Sequence, residues 1–182
     1  MQLKNDDITL RYIKEDDIKN YINWTTVETE WLKWDSPWVQ DENNDNFLNW
    51  QKELIKKEPT AKKLEIEMPN GEHIGWVSSY YINGDKEKIA MGIDIPPMSA
   101  RRKGYGKAAL TLFMESLFET KEILYIQTWS GNLAMIALSE KLGFNEVKWL
   151  KDLREGNGEK YDILTYSITK DEFLSHKRGT KG

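Results

Sequence analysis

The stretch Arg101-Arg102-Lys103-Gly104-Tyr105-Gly106-Lys107 has the residue types of an anion cradle. Two glycines, one residue apart, let the backbone come close to a ligand. Basic residues flank them, and the pattern turns helical from Gly104 onward. The first amides of a helix have no carbonyl partners, and the helix dipole favours negative charge there. The chemistry this suits is capture of a pyrophosphate by the amides around Arg102 to Lys107. Neither dinucleotide signature fits, because there is no third glycine at G-x-G-x-x-G spacing and no Gly-Lys-Ser/Thr ending.

Just upstream, Ile89, Met91, Ile93 and Ile95 alternate, and the other face of that strand carries Ala90, Gly92 and Asp94. Two small residues and one acid on one face imply that something other than a packed side chain approaches there. Asp94 is therefore a candidate base or substrate anchor; the plainer alternative is a solvated acid at a strand end. A third group lies between Thr25 and Asn44, where Trp31, Trp34 and Trp38 stand among Glu28, Glu30, Asp35, Asp41 and Glu42. Large aromatics usually pack, so core is the plain reading of each ring. The functional reading is an acidic, aromatic-lined pocket for a cationic amine, lined by Trp31, Trp34, Asp35 and Trp38. His73 and His176 have no partners at metal spacing and read as surface residues, so no metal site is expected.

Strands and helices must hold these groups in place. Ile8 to Tyr12 reads as a first strand, and Glu15-Asp16-Asp17 opens a helix with acids in its first turn. Phe47, Leu48, Gln51, Leu54 and Ile55 mark a second helix. A meander follows: Leu64, Ile66 and Met68 alternate, Pro69-Asn70-Gly71 turns, and Ile74 to Ile82 returns. Asn83-Gly84-Asp85 turns again into the Asp94 strand. Past the glycine loop come a helix, a short apolar strand at Ile123 to Thr128, a helix from Asn132 to Leu142 stopped by Gly143, and two closing strands at Phe144–Leu150 and Tyr161–Thr169. The order is β-α-α-β-β-β-α-β-α-β-β, an α+β domain over residues 1–175 with helices on both faces of one mixed, mostly antiparallel sheet. Residues 176–182 read as a frayed basic tail.

Composition sets outer bounds. The 182 residues suit one domain, with eight Trp, eight Tyr and five Phe to fill its core. A net charge of −4 argues against a nucleic-acid binder. The absence of cysteine excludes a disulfide framework and a cysteinyl acyl-enzyme. No apolar run approaches the ~20 residues of a membrane span and the N-terminus is unlike a signal peptide, so a cytoplasmic protein is expected.

Arg101, Gly104 and Gly106 satisfy [Arg/Gln]-x-x-Gly-x-[Gly/Ala], which resembles the acetyl-CoA loop of the GCN5-related N-acetyltransferases (GNAT). Asn132, Ala137 and Glu140-Lys141-Leu142-Gly143-Phe144 resemble the other signature of that family. Lys160 to Glu172 is similar to the last strand of the ribosomal-protein N-terminal and polyamine acetyltransferase subgroup. The resemblance implies direct acetyl transfer from acetyl-CoA to an amine, with no metal. It implies that Arg101, Arg102, Lys103, Gly104, Tyr105, Gly106 and Lys107 hold the pyrophosphate, that main chain near Ile93 to Ile95 polarises the thioester, and that Asn132 hydrogen-bonds the pantetheine arm or nearby backbone. Many relatives carry a Tyr as leaving-group acid where this chain has Ser139, so Ser139 is expected only to touch the arm, which leaves water, a Tyr such as Tyr166, or a thiolate that departs unaided. Gly92-Ile93-Asp94 resembles a G-I-D of some aminoglycoside acetyltransferases. The expected acceptor is a small cationic amine, polyamine or aminoglycoside-like. The alternatives are a peptide N-terminus, as in a protein N-terminal acetyltransferase, and a non-catalytic acyl-CoA sensor. A homodimer is left open.

Overall fold

Period-two alternation in the chain becomes one eight-stranded sheet in a computed structural model that describes residues 2–35, 44–57, 62–156 and 158–179. The strands are β1 (Gln2–Lys4), β2 (Thr9–Arg11), β3 (Lys63–Glu67), β4 (His73–Tyr81), β5 (Ile89–Asp94), β6 (Ile123–Trp129), β7 (Asn145–Gly156) and β8 (Glu159–Thr169). They lie in the order β1-β2-β3-β4-β5-β6-β8-β7. Every neighbouring pair is antiparallel except β5 and β6. The helices are α1 (Ile18–Thr26), α2 (Leu32–Asp35), α3 (Asn44–Lys56), α4 (Tyr105–Leu117), α5 (Leu133–Lys141) and α6 (Lys170–Gly179). The α+β architecture with helices on both faces is as expected; β1, α2 and α6 are additions. His176 to Gly179 continue α6 instead of fraying. Asp171 and Glu172 in its first turn and His176, Lys177 and Arg178 in its last match the helix dipole, and buried Phe173 anchors it.

Register explains the two faces. Leu10, Ile66, Val77, Ile93, Met91, Leu124, Ile126 and Ile168 point to one side, where α4 and the ends of α5 and α6 cover them with Phe113, Met114, Leu142, Phe144 and Phe173. The opposite side carries the row Arg11–Glu65–Trp76–Asp94. Helices α1 and α3 cover the β2–β4 half of that side with a second, aromatic core of Tyr21, Trp24, Trp31 and Trp76. Beneath it lies a buried polar network. Lys63 Nζ donates to Glu65 Oε1 at 2.6 Å and Gln51 Oε1 at 3.0 Å, and Tyr21 Oη donates to Glu65 Oε2 at 2.7 Å. His73 Nε2 lies 2.8 Å from Glu65 Oε2, and Arg11 forks onto both oxygens of Asp17 at 2.7 and 2.8 Å. His73 is thus a buried member of this network, not a surface residue. His176 is half-exposed; its Nε2 lies 3.0 Å from the Lys141 carbonyl oxygen, and its ring lies beside Gly143 at the end of α5.

The parallel seam positions the site. Strands β5 and β6 pair only through Ile89–Leu124, Ala90–Tyr125 and Met91–Ile126. Beyond Met91 they diverge, so Gly92 to Asp94 and Gln127 to Trp129 have no strand partner across the gap. Gly75 holds β4 close to the end of β5: a Cβ there would stand 2.0 Å from the Asp94 carbonyl oxygen.

Candidate active site

The glycine loop leads directly into α4, beside the gap. Gly104 takes φ 89° and Arg102 φ 60°, which turns the chain sharply before the helix. The first helical hydrogen bond runs from the Ala108 amide to the Gly104 carbonyl at 3.0 Å. The amides of Tyr105, Gly106 and Lys107 precede it and have no carbonyl partner among the described residues. Arg102, Lys103 and Lys107 are exposed around them, while the Tyr105 ring packs on the core. A Cβ on Gly106 would meet the side chains of Leu138, Ile95 and Ile93 at ordinary contact distances of 3.6–3.8 Å, which places this turn of α4 beside the end of β5 and α5. These features fit an acetyl-CoA molecule whose pyrophosphate meets the helix start and whose arm lies between the diverging strands.

Arg101 does something other than what its place in the loop motif implies. Its Nε donates to the Ile95 carbonyl at 2.7 Å, Nη2 to the Pro96 carbonyl at 2.9 Å and Nη1 to Glu30 Oε2 at 2.5 Å. The guanidinium therefore locks the strand-to-loop turn and is committed within the protein. Ser139 is fully buried and its hydroxyl donates to the Met135 carbonyl at 2.8 Å, which turns it back onto α5. Asn132 caps α5, its Oδ1 accepting from the Met135 amide at 3.1 Å; its Nδ2 donates to the Trp34 carbonyl at 3.0 Å.

On the polar face, a cavity of about 740 Å³ opens along the gap. Trp34, Asp35, Tyr80, Gly92, Asp94 and Gln127 are among its lining residues. The Asp94 carboxyl makes no hydrogen bond or ion pair among the described residues. Burial pushes its carboxyl up to about 7 and Asp35 adds to the rise, against the pull of Lys63 and Arg101. Of the aromatic candidates, Trp34 lines the cavity. Trp31 does not: it is buried in the second core, with Nε1 donating to the Trp24 carbonyl at 2.8 Å. Trp38 lies outside the described residues. Tyr166 is also core, on the Ile126 row and facing away from the cavity. Sequence reasoning missed Tyr80, Tyr125, Gln127 and Thr165. Tyr80 shares the Ala90 row across β4 and β5, and the small residues on that face were the signal that could have found it. Its Oη donates to Gln127 Oε1 at 3.3 Å, and burial with Asp35 pushes the phenol up to about 12. On the far wall, Lys148 and Arg154 of β7 reach the same cavity.

A family model described as an acetyltransferase (GNAT) domain matches residues 7–145. The chain belongs to the GNAT acetyltransferases. Solved GNAT structures superpose over most of its length. One is a GNAT-family acetyltransferase from Bacillus anthracis, 15% identical, covering 94% of this chain and 99% of that one with a TM-score of 0.78. Another is a ribosomal-protein-alanine N-acetyltransferase from Brucella melitensis, 20% identical, covering 88% and 98% with a TM-score of 0.66. A third, an acetyltransferase from Salmonella typhimurium with its cofactor acetyl-CoA, is 17% identical and covers 91% and 94% with a TM-score of 0.67. At these identities the likeness is one of fold. No curated protein matches the chain by sequence. In this GNAT domain the matched span holds both signatures, the gap and Asp94. The long β7–β8 hairpin lies almost wholly beyond it. No helix among the described residues is long and apolar enough to cross a membrane.

Proposed function

We propose that the chain transfers acetyl from acetyl-CoA directly to a primary amine of a small molecule, with Asp94 as the base. The observation that carries this reading is Asp94 itself: a carboxyl at the open end of the strand gap, lining the cavity, with no hydrogen-bond or ion-pair partner among the described residues and raised to about 7. Bound acetyl-CoA supplies the activated acetyl group. The amides of Tyr105 to Lys107 would hold its phosphates, and the edge of β5 from Gly92 to Asp94, paired with β4 on one side and open across the gap on the other, would face the thioester. Asp94 takes a proton from the incoming ammonium. The amine nitrogen then bonds to the acetyl carbon, the carbon–sulfur bond breaks, the sulfur leaves with the electron pair, and the nitrogen gives its second proton to solvent to leave a neutral amide. A carboxyl near 7 returns a proton to a thiolate of ordinary pKa, about 8.5, downhill. Tyr80 at about 12 would do so uphill, so its O–H acts as a hydrogen-bond donor rather than as an acid.

The charge on the cavity walls supports one kind of acceptor. Asp35 and Asp94 draw an ammonium toward the gap. Lys148 and Arg154 make the opposite wall basic, so among the described residues the lining carries both signs of charge. An acceptor with one ammonium beside Asp94 and a neutral or acidic far end fits this lining better than a long polyamine or aminoglycoside. The deciding assay is thiol release from acetyl-CoA at pH 8. The panel comprises amines bearing a carboxylate, polyamines, aminoglycosides and short peptides with free α-amines, and acetyl-CoA affinity is measured separately by calorimetry. Turnover of acid-bearing or neutral small amines is expected. Turnover of peptides alone would move the function to N-terminal acetylation. Acetyl-CoA binding without turnover of any amine would favour a sensor, and absence of binding would overturn the loop assignment.

A further inference from the structure

The short helix α2 ends on the acceptor wall, and side chains from the glycine loop, β6 and α5, which flank the proposed acetyl-CoA site, attach to it or to Glu30 just before it. Arg101, in the loop, pairs with Glu30, just before α2. The same Glu30 carboxylate accepts from Trp34 Nε1 at 2.7 Å. The Trp34 carbonyl accepts from Trp129 Nε1 at 3.1 Å and from Asn132 Nδ2 at 3.0 Å. Two lone pairs on one carbonyl oxygen are thus engaged by the end of β6 and the start of α5. Asp35, the next residue, lines the cavity with Asp94. Arg101 reaches Glu30 from a fixed base, because its other two donors are held by the Ile95 and Pro96 carbonyls.

We propose that Arg101, Glu30 and Trp129 are positioning residues that couple the acetyl-CoA site to the acceptor wall, setting Asp35 opposite Asp94. The inference rests on the acetyl-CoA reading of the loop. A ligand that orders the loop and the start of α5 also orders α2, and linkage makes the effect reciprocal: an occupied acceptor pocket tightens acetyl-CoA binding by the same factor. An exposed ion pair alone contributes little, about 0–1 kcal/mol. The geometry gains its leverage from the shared carboxylate and the doubly bound carbonyl, which act on a segment of four residues.

Acetyl-CoA alone is a sufficient probe. Amide hydrogen exchange across residues 31–35 is measured with and without saturating acetyl-CoA, alongside its dissociation constant by calorimetry. In the wild type, exchange there slows at least fivefold on binding. Glu30→Gln, which keeps the shape and removes the charge, and Trp129→Phe, which keeps the ring and removes the N–H, each abolish the slowing while the dissociation constant changes less than threefold. Glu30→Asp retains at least half of it. Wild-type exchange indifferent to acetyl-CoA, or full slowing in both Glu30→Gln and Trp129→Phe, overturns the coupling. Loss in Glu30→Asp as complete as in Glu30→Gln reduces Glu30 to a packing residue and overturns the role of the ion pair. If acetyl-CoA fails to bind the wild type, the loop reading falls and the coupling falls with it.

Discussion

A carboxyl at the open end of the gap carries most of the proposed chemistry, and its titration can be read twice. If Asp94 is the base, kcat/KM for the acceptor climbs with an acid limb near pH 7, because only the carboxylate accepts a proton. Asp94→Asn lowers the rate at pH 8 by about 10²–10⁴ and flattens that limb, which a rate profile from pH 5 to 9 measures. The second reading is stability. A carboxyl raised above its unfolded value binds its proton more tightly in the folded chain. Its contribution is full below about pH 4 and is lost as pH rises through 7. Asp94→Asn therefore melts higher than the wild type at pH 8, and the difference shrinks at pH 4. Asp94 and the loop glycines were legible in the sequence because they interrupt a local pattern. The directions of Arg101, Ser139, Trp31 and Tyr166 were not, because each is set by atoms that come from elsewhere in the chain.

Element by element, the alternation of Ile89 to Ile95 and the Pro69-Asn70-Gly71 turn gave the meander within a residue or two. The period that revealed the strand Lys63–Glu67 also hid something. Leu64 and Ile66 marked its core face, and alternation alone says nothing of what covers the other face, Lys63, Glu65 and Glu67. Helices α1 and α3 cover that face, which is why His73 gained buried partners far from it in sequence. The α6 helix was missed although its acidic start and basic end are dipole-matched, because its apolar anchor is the single ring of Phe173. Element packing also yields a sharp test at Gly75. A methyl group there would drive into the Asp94 carbonyl, so Gly75→Ala must part β4 from β5. The variant is expected to melt several degrees lower and to lose more than tenfold in kcat, with acetyl-CoA affinity changed far less. Kinetics and calorimetry on the same preparation separate the two effects.

At the scale of the whole molecule, two cores share one sheet, and the smaller is built around charge. Burial alone would raise Asp17, Glu65 and Glu67, but hydrogen bonds from Arg11 to Asp17 and Glu67, and from His73 to Glu65, outweigh it and hold all three below the ordinary carboxylate range. Groups depressed in this way stabilise the fold above about pH 4 and cease to do so as pH falls through their folded values, so acid unfolding is expected to begin below pH 4. Glu65→Leu strands Lys63 without its carboxylate and is expected to cost about 3–5 kcal/mol in urea unfolding at pH 7, much of it recovered by adding Lys63→Met. The two half-sheets meet along only three residue pairs. Where they part, an amide-bearing arm can pair with exposed main chain on either side as though it were a short additional strand. Recognition of that kind reads peptide groups and not side chains. It leaves little trace in residue identity, so divergent sequences can share one coenzyme grip while the walls around it drift toward new amines.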